Sequence, residues 1–164
     1  VEADWPGLKI IPLKQPDQLH FLVGWTQETA RTAPMVAKVH RLKSKQPNLY
    51  QQFLQTSQTA VEQMIAGFQS GDSDSLIAGI KANRSALRLL GIEADVPIET
   101  QKLSELIDLA SPFGGAKTSG AGGGDCGIAF IKLVDEIDQV YQLWEEAGIE
   151  PLMVTASLVG VEIT

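Results

Sequence analysis

The sequence predicts an α+β domain: a ferredoxin-like antiparallel sheet with inserted helices on one face. Three observations carry this expectation. Short apolar stretches stand near both ends of the chain, four successive segments between them place apolar residues at helical spacing, and the connections are too varied for regular βαβ alternation. A split βαβ arrangement with extra helices inserted satisfies all three.

Residues 8–13 and 19–25, bracketed by Pro6-Gly7 and Pro16-Asp17, read as two strands of a hairpin or meander; in the second, Leu19, Phe21 and Val23 alternate with His20 and Leu22. Thr32 is the expected N-cap of a helix over 33–45, with Pro34 tolerated in its first turn and Met35, Val36, Val39 and Leu42 at helical spacing before Pro47. A long helix follows from Asn48, carried by Leu49, Phe53, Leu54, Val61, Met64, Ile65 and Phe68 and stopped by Gly71. Asp72 or Ser73 caps the next, whose face runs Leu76, Ile80, Leu87 and Leu90 to Gly91. Pro97 and Thr100 open a fourth with Leu103, Leu106, Ile107 and Ala110.

After Ser111-Pro112, six of the chain's fifteen glycines fall within 114–124, so the run from Phe113 to Asp125 is read as a loop. Cys126 to Lys132 reads as a strand. Asp135 is the expected cap of a helix carrying Ile137, Val140, Tyr141 and Trp144 up to Gly148, and Leu152–Thr155 and Ser157–Ile163 read as closing strands. No internal repeat is visible.

Composition excludes several classes of function. At 164 residues the chain has room for one domain with a full core and not for two of ordinary size. A formal charge of −7 without a basic run argues against nucleic acid as a partner. Cys126 is the single cysteine, which rules out an internal disulfide and a cysteine-type zinc site and makes a reducing cytoplasm the expected compartment. No window approaches the ~18 apolar residues of a membrane span, and Val1-Glu2-Ala3-Asp4 does not open a signal segment, so neither membrane insertion nor secretion is expected. The start at Val1, rather than Met, is read as that of a cut-down or processed chain.

Two nucleotide motifs are excluded by context. Gly122-Gly123-Gly124-Asp125-Cys126-Gly127 has the letters of the dinucleotide fingerprint but precedes a strand instead of following one, and Ala116 stands where a P-loop needs glycine before its lysine. What remains is a turn of glycines with Lys117, Thr118 and Ser119 on its leading side, suited to converging backbone N–H groups on a phosphate; the alternative is a flexible linker. Asn83 falls on the apolar face of its helix with Arg84 beside it. Either Asn83 bonds a neighbouring helix or loop while Arg84 extends to solvent, or the pair faces a cleft where Arg84 meets a phosphate or carboxylate. The free N–H groups of the helix start near Thr32 could also hold an anion, though capping explains Thr32 well. His20 and His40 are not spaced as a metal pair, Trp5, Trp25 and Trp144 read as core or rim aromatics, and Cys126 reads as buried and inert.

The run Lys117-Thr118-Ser119-Gly120-Ala121-Gly122-Gly123-Gly124-Asp125-Cys126-Gly127-Ile128-Ala129 resembles the third motif of the galactokinase, homoserine kinase, mevalonate kinase and phosphomevalonate kinase (GHMP kinase) superfamily, and its ending is similar to that of the phosphomevalonate kinase branch. Leu22-Val23-Gly24-Trp25-Thr26, with Ala30 and Thr32 behind it, and the Asn83-Arg84 turn before Leu87 resemble the same enzymes. The resemblance implies the superfamily's C-terminal domain and, with magnesium, ATP-dependent phosphorylation of (R)-5-phosphomevalonate on the mevalonate route to isoprenoids. It implies Lys117, Ser119, Gly120, Ala121, Gly122, Gly123, Gly124 and Asp125 as the phosphate-side loop, and Trp25, Thr26, Thr32, Asn83 and Arg84 as substrate-side candidates. The superfamily's second motif, roughly Gly-Leu-Ser-Ser-Ser-Ala, and the acidic residue and lysine of its N-terminal domain have no counterpart here. No catalytic residue and no metal ligand is therefore assigned to this chain. The expected partners are phosphomevalonate, ATP and the absent N-terminal domain, with self-association through the face that domain would cover, and little or no activity is expected alone. Another kinase of the superfamily, such as a mevalonate kinase, and a stand-alone ferredoxin-like module that binds a phosphorylated metabolite are the alternatives.

Overall fold

The computed structural model describes residues 12, 13 and 15–155. Its elements are β1 (His20–Trp25), α1 (Thr32–Lys45), α2 (Pro47–Ser70), α3 (Ser73–Ala94), α4 (Gln101–Ala110), β2 (Gly114–Thr118), β3 (Cys126–Ile131), a 3-10 turn (Val134–Glu136), α5 (Ile137–Glu146) and β4 (Glu150–Leu152). The sheet order is β2-β3-β1-β4, and every neighbouring pair is antiparallel. This is the expected split βαβ topology: β3 enters between β1 and β2, and α1 to α3 are inserted ahead of the crossover helix α4. Of the strand expected at 8–13, residues 8–11 lie outside the described residues and 12 and 13 form no strand, and the strand expected at 157–163 lies outside the described residues.

Period-two alternation divides the sheet. Leu22, Ala116, Ala129 and Ile131 point to one face and pack with Leu106, Ile107 and Ala110 of α4 and Val140 and Trp144 of α5. Trp144 is fully buried there, and its indole N–H, which would be costly unpaired, donates to the Leu106 carbonyl at 2.9 Å. The α2–α3 hairpin reaches the other face in addition, where Phe130 meets Phe21 at 5.2 Å and Phe68 at 5.9 Å between ring centroids. A separate cluster of Met35, Leu42, Leu90, Val96 and Ile98 joins α1 to α3 and the segment after it.

Several boundaries differ from the sequence reading, each for a local reason. Thr32 lies inside α1, and Arg31 occupies the cap position without a side-chain bond. Asp72 caps α3 as expected, its carboxylate accepting from the N–H groups of Asp74 and Ser75 at 3.1 and 3.0 Å. Gly91 does not end α3. The helix continues to Ala94 and turns at Asp95 in the left-handed region, while Gly91 gives room for the returning chain: a Cβ there would stand 2.8 Å from the Val96 carbonyl oxygen. Asp135 sits within the 3-10 turn, and Glu136 precedes α5 without a side-chain cap. The glycine run is not loop throughout, because Gly114–Thr118 form β2. Glycine is needed at its start by packing, since a Cβ on Gly114 would overlap the Phe130 carbonyl oxygen of β3, and a Cβ on Gly115 would press on Ile77 of α3 at 3.3 Å. The final described strand begins at Glu150, two residues earlier than expected, and ends at Leu152. Among the described residues, no helix is long and apolar enough to cross a membrane.

Candidate functional site

The connection from β2 to β3 builds a tight turn at the edge of the sheet. Its neck is closed by the Ser119 N–H, which donates to the Cys126 carbonyl at 2.9 Å. Beyond it the backbone takes positive φ at Gly120 (61°), Gly122 (73°), Gly123 (82°), Gly124 (130°) and Asp125 (57°). Only glycine adopts such a succession without strain, and Asp tolerates the last position better than most side chains.

Two outside segments grip this turn. From the end of β1, Thr26 donates both its N–H and its hydroxyl to the Asp125 carbonyl, each at 2.8 Å, and the Asp125 N–H donates to the Glu28 carbonyl at 2.8 Å. From the segment between α3 and α4, the Ile98 carbonyl accepts the Gly123 N–H at 2.9 Å. Gly122 passes so close to Ile98 that a Cβ would overlap that carbonyl oxygen. The two grips are joined by Thr100, whose hydroxyl donates to the Glu28 carboxylate at 2.9 Å while capping α4. The turn is thus held rigidly, unlike a flexible linker.

The clamps use the N–H groups of Ser119, Gly123 and Asp125, and Gly120 and Ala121 form a turn closed between Ser119 and Gly122, whereas among the described residues the N–H groups of Gly120, Ala121 and Gly124 meet no protein acceptor. Free N–H groups on successive residues of a fixed positive-φ turn form an anion-binding concavity. Lys117 lies in β2, one residue before its end and three before the first glycine of the turn. Its ammonium donates to the Thr118 carbonyl at 2.8 Å, and burial pushes its pKa below the ordinary lysine value. Cys126 is half-buried and not buried as expected, while partial burial and the neighbouring Asp125 carboxylate raise its thiol pKa, in keeping with an inert thiol. Apolar clefts of about 310 and 320 Å³ flank the turn, the first reaching Gly120 and Ala121 from Met35, Val39 and Tyr50, the second reaching Gly123 from Pro34 and Lys38.

The structure gathers some of the sequence candidates and separates others. Lys117, Ser119, Gly120, Ala121, Gly122, Gly123, Gly124 and Asp125 form or adjoin the turn. Trp25, 37% exposed, pairs with Cys126 at its base, and Thr26 is buried against it. Thr32 is exposed at the start of α1. Asn83 and Arg84 face protein partners instead of the turn. Asn83 donates to the Ser57 hydroxyl of α2 at 3.1 Å, the interhelical alternative. Arg84 neither extends to solvent nor opens onto a cleft. It donates to Glu99 from Nε at 2.9 Å and from Nη2 at 2.6 Å, and to Asp108 at 2.8 Å. Those carboxylates are what a guanidinium fork recognises, so its preferred geometry is already filled from within. Glu28, Ile98 and Glu99 are not legible as site residues in the sequence, because each contributes through a contact far away along the chain with no local periodicity. No group of three or more His, Cys, Asp or Glu side chains converges among the described residues, so they build no metal cage.

A model of the family described as GHMP kinases C terminal matches residues 64–150. The chain is 40% identical over 164 residues to the phosphomevalonate kinase of Streptomyces sp. (strain CL190), covering 98% of this chain and 44% of that protein. The crystal structure of the Lin0012 protein from Listeria innocua superposes with a TM-score of 0.87 at 39% identity, over 92% of this chain and 42% of that one. Streptococcus pneumoniae phosphomevalonate kinase in complex with phosphomevalonate and AMPPNP superposes with a TM-score of 0.78 at 32% identity, over 92% and 43%. The chain spans less than half the length of each of these relatives. By sequence over half its length and by fold, the chain belongs to the GHMP kinases, matching their C-terminal domain.

Proposed function

We propose that this chain is the phosphate-side, C-terminal half of an ATP-dependent kinase that converts (R)-5-phosphomevalonate to 5-diphosphomevalonate in isoprenoid biosynthesis. The observation that carries the reading is the clamped turn, which offers unpaired N–H groups at Gly120, Ala121 and Gly124 a few residues after Lys117. The kinship with phosphomevalonate kinases, one of them solved with phosphomevalonate and an ATP analogue, supports the choice of substrate.

In that reaction an oxygen of the 5-phosphate attacks the γ-phosphorus of ATP, and the bond to ADP breaks. Catalysis of such a transfer consists mainly of positioning and charge stabilisation. The turn supplies preformed donors to phosphate oxygens, and Lys117, already partly desolvated, supplies a cation that interacts more strongly than it would in water. Ser119 and Asp125 belong to this phosphate side, and Trp25, Thr26 and Thr32 border the substrate side. Magnesium would arrive on the nucleotide phosphates and neutralise their charge, since the described residues build no cage for it. An N-terminal ATP-binding domain would provide the opposite wall of the cleft, in a cytoplasmic enzyme. Without that wall, Trp25 and the half-buried Val23 and Ile128 of the open sheet face would favour self-association, which light scattering would detect.

The test is calorimetric titration of the chain with phosphomevalonate and with magnesium-ATP, alongside Lys117→Ala and a coupled assay of the protein at its natural length. The reading expects turnover at natural length, little or none by the 164-residue chain, and any binding to the chain to be lost in Lys117→Ala. A natural-length protein that does not turn over phosphomevalonate overturns it. Mevalonate kinase is the second reading, favoured by 28% identity to the Thermococcus gammatolerans mevalonate kinase over 89% of this chain, and mevalonate as the preferred acceptor in the same assay would establish it.

A further inference from the structure

Arg84 and Glu99 form the most enclosed ion pair among the described residues. Their side chains are 15% and 6% exposed, and the pair is held by two hydrogen bonds of 2.6 and 2.9 Å. Arg88 approaches the same carboxylate at 3.7 Å, and Asp108 of α4 takes the remaining reach of the Arg84 fork at 2.8 Å. Burying two charges is justified energetically only by geometry this complete, and the arrangement fixes the Glu99 side chain against both α3 and α4. The residue next to Glu99 is Ile98, whose carbonyl accepts the Gly123 N–H at 2.9 Å and whose backbone excludes any side chain at Gly122. On the other flank of Glu99, Thr100 reaches the Glu28 carboxylate, and the Glu28 carbonyl holds the Asp125 N–H.

We propose that Arg84 and Glu99 are positioning residues for the glycine turn: their ion pair anchors Ile98, and Ile98, through Gly122 and Gly123, sets the orientation of the turn's free N–H groups. The proposal rests on the phosphate-binding reading of that turn for its consequence in catalysis, but not for its structural content. Neither side chain touches substrate. A turn whose donors must meet phosphate oxygens to within a fraction of an ångström is sensitive to a shift of its support, and a misplacement of about 1 Å costs on the order of 100-fold in rate. Arg84 therefore acts through Glu99 and the backbone of Ile98, and the fork geometry matters as well as the charge.

The experiment compares the natural-length protein with Glu99→Gln and Arg84→Lys by steady-state kinetics, thermal melting and amide hydrogen exchange. The exchange readout is the protection of the Gly123 N–H relative to the Ile149 N–H, which donates to the Trp144 carbonyl at 2.8 Å beneath the opposite face of the sheet. Both variants are expected to lower this ratio about tenfold or more, because the Gly123 opening becomes local. They are also expected to lower kcat/KM by about 10- to 100-fold. Ile80→Val, in a core cluster that does not include the turn, serves as a destabilised control and should leave the ratio unchanged. An unchanged ratio in Glu99→Gln, or a fall equal to that of Ile80→Val, overturns the proposal. A fallen ratio in a protein inactive towards phosphomevalonate upholds the positioning of the turn and overturns only the assigned substrate.

Discussion

The carbonyl oxygen of Asp125 accepts two hydrogen bonds from Thr26, one from the N–H and one from the hydroxyl, each at 2.8 Å and across 99 positions of sequence. This paired contact joins the end of β1 to the last residue of the glycine turn. It converts a segment with high conformational freedom into one with a defined orientation, and the entropy lost in ordering those glycines is offset by clamps of this kind.

Removing the hydroxyl alone should therefore register in both stability and binding. Thr26→Val keeps the shape and the N–H bond but leaves the Asp125 carbonyl with one donor, and it is expected to cost about 1 kcal/mol of unfolding free energy in urea denaturation. Thr26→Ser keeps the donor and should stay within about 0.5 kcal/mol of the parent. A Val variant as stable as the Ser variant would show that the hydroxyl does not hold the turn.

Two glycines of the turn separate backbone strain from steric exclusion. Gly120 has φ of 61°, and a Cβ there would meet nothing within 4 Å, so Gly120→Ala should cost about 1 kcal/mol, the ordinary penalty of a left-handed non-glycine residue. Gly122 has φ of 73° and lies against the Ile98 carbonyl, so Gly122→Ala adds a backbone clash and should cost at least about 3 kcal/mol. Comparison of the two melting curves checks the difference, and equal costs would mean that the approach to Ile98 is loose.

Asn83 gives a prediction of the opposite kind. Only 6% exposed, its amide donates to Ser57 and joins α3 to α2. Asn83→Ala should lose roughly 1 to 2 kcal/mol, with part of that loss absent when Ser57 is already Ala, while the KM values of the natural-length enzyme stay unchanged. A raised KM for phosphomevalonate without loss of stability would return Asn83 to the substrate side.

The order of the helices is legible in the sequence because it rests on short-range signals. The spacing from Leu49 to Phe68, the stop at Gly71 and the caps at Asp72 and Thr100 all act within one or two helical turns. β2 is not legible. Its glycines carry no β-propensity, and they form a strand because β3 supplies the ladder, against which a side chain at Gly114 would overlap the Phe130 carbonyl. The same distinction governs the site. The glycine cluster with Lys117 stands out in composition, whereas Glu99 and Glu28 become visible only when the chain returns to Arg84 and Thr100 in space. Arg84 shows the same limit, because its two carboxylate partners, Glu99 and Asp108, cannot be read from its helix alone.

The protonation of Lys117 supplies a pH test. Burial disfavours the ammonium form, so the folded-state pKa lies below that of the unfolded chain. Between the two values the unfolded chain binds more protons than the folded one, and stability rises with pH across that window and levels off above the unfolded value. Lys117→Met removes the titrating group and should flatten this rise in denaturation curves collected from neutral to alkaline pH. Ligand affinity should move the other way. A phosphate held by the turn needs the cation, so binding of magnesium-ATP or phosphomevalonate should weaken as pH climbs through the lowered pKa, earlier than an ordinary lysine would dictate. Lys117→Arg stays charged throughout and should abolish that alkaline loss of affinity, even if its bulk weakens binding at neutral pH. An affinity that falls identically for Lys and Arg would mean that another group titrates and that Lys117 does not face the phosphate.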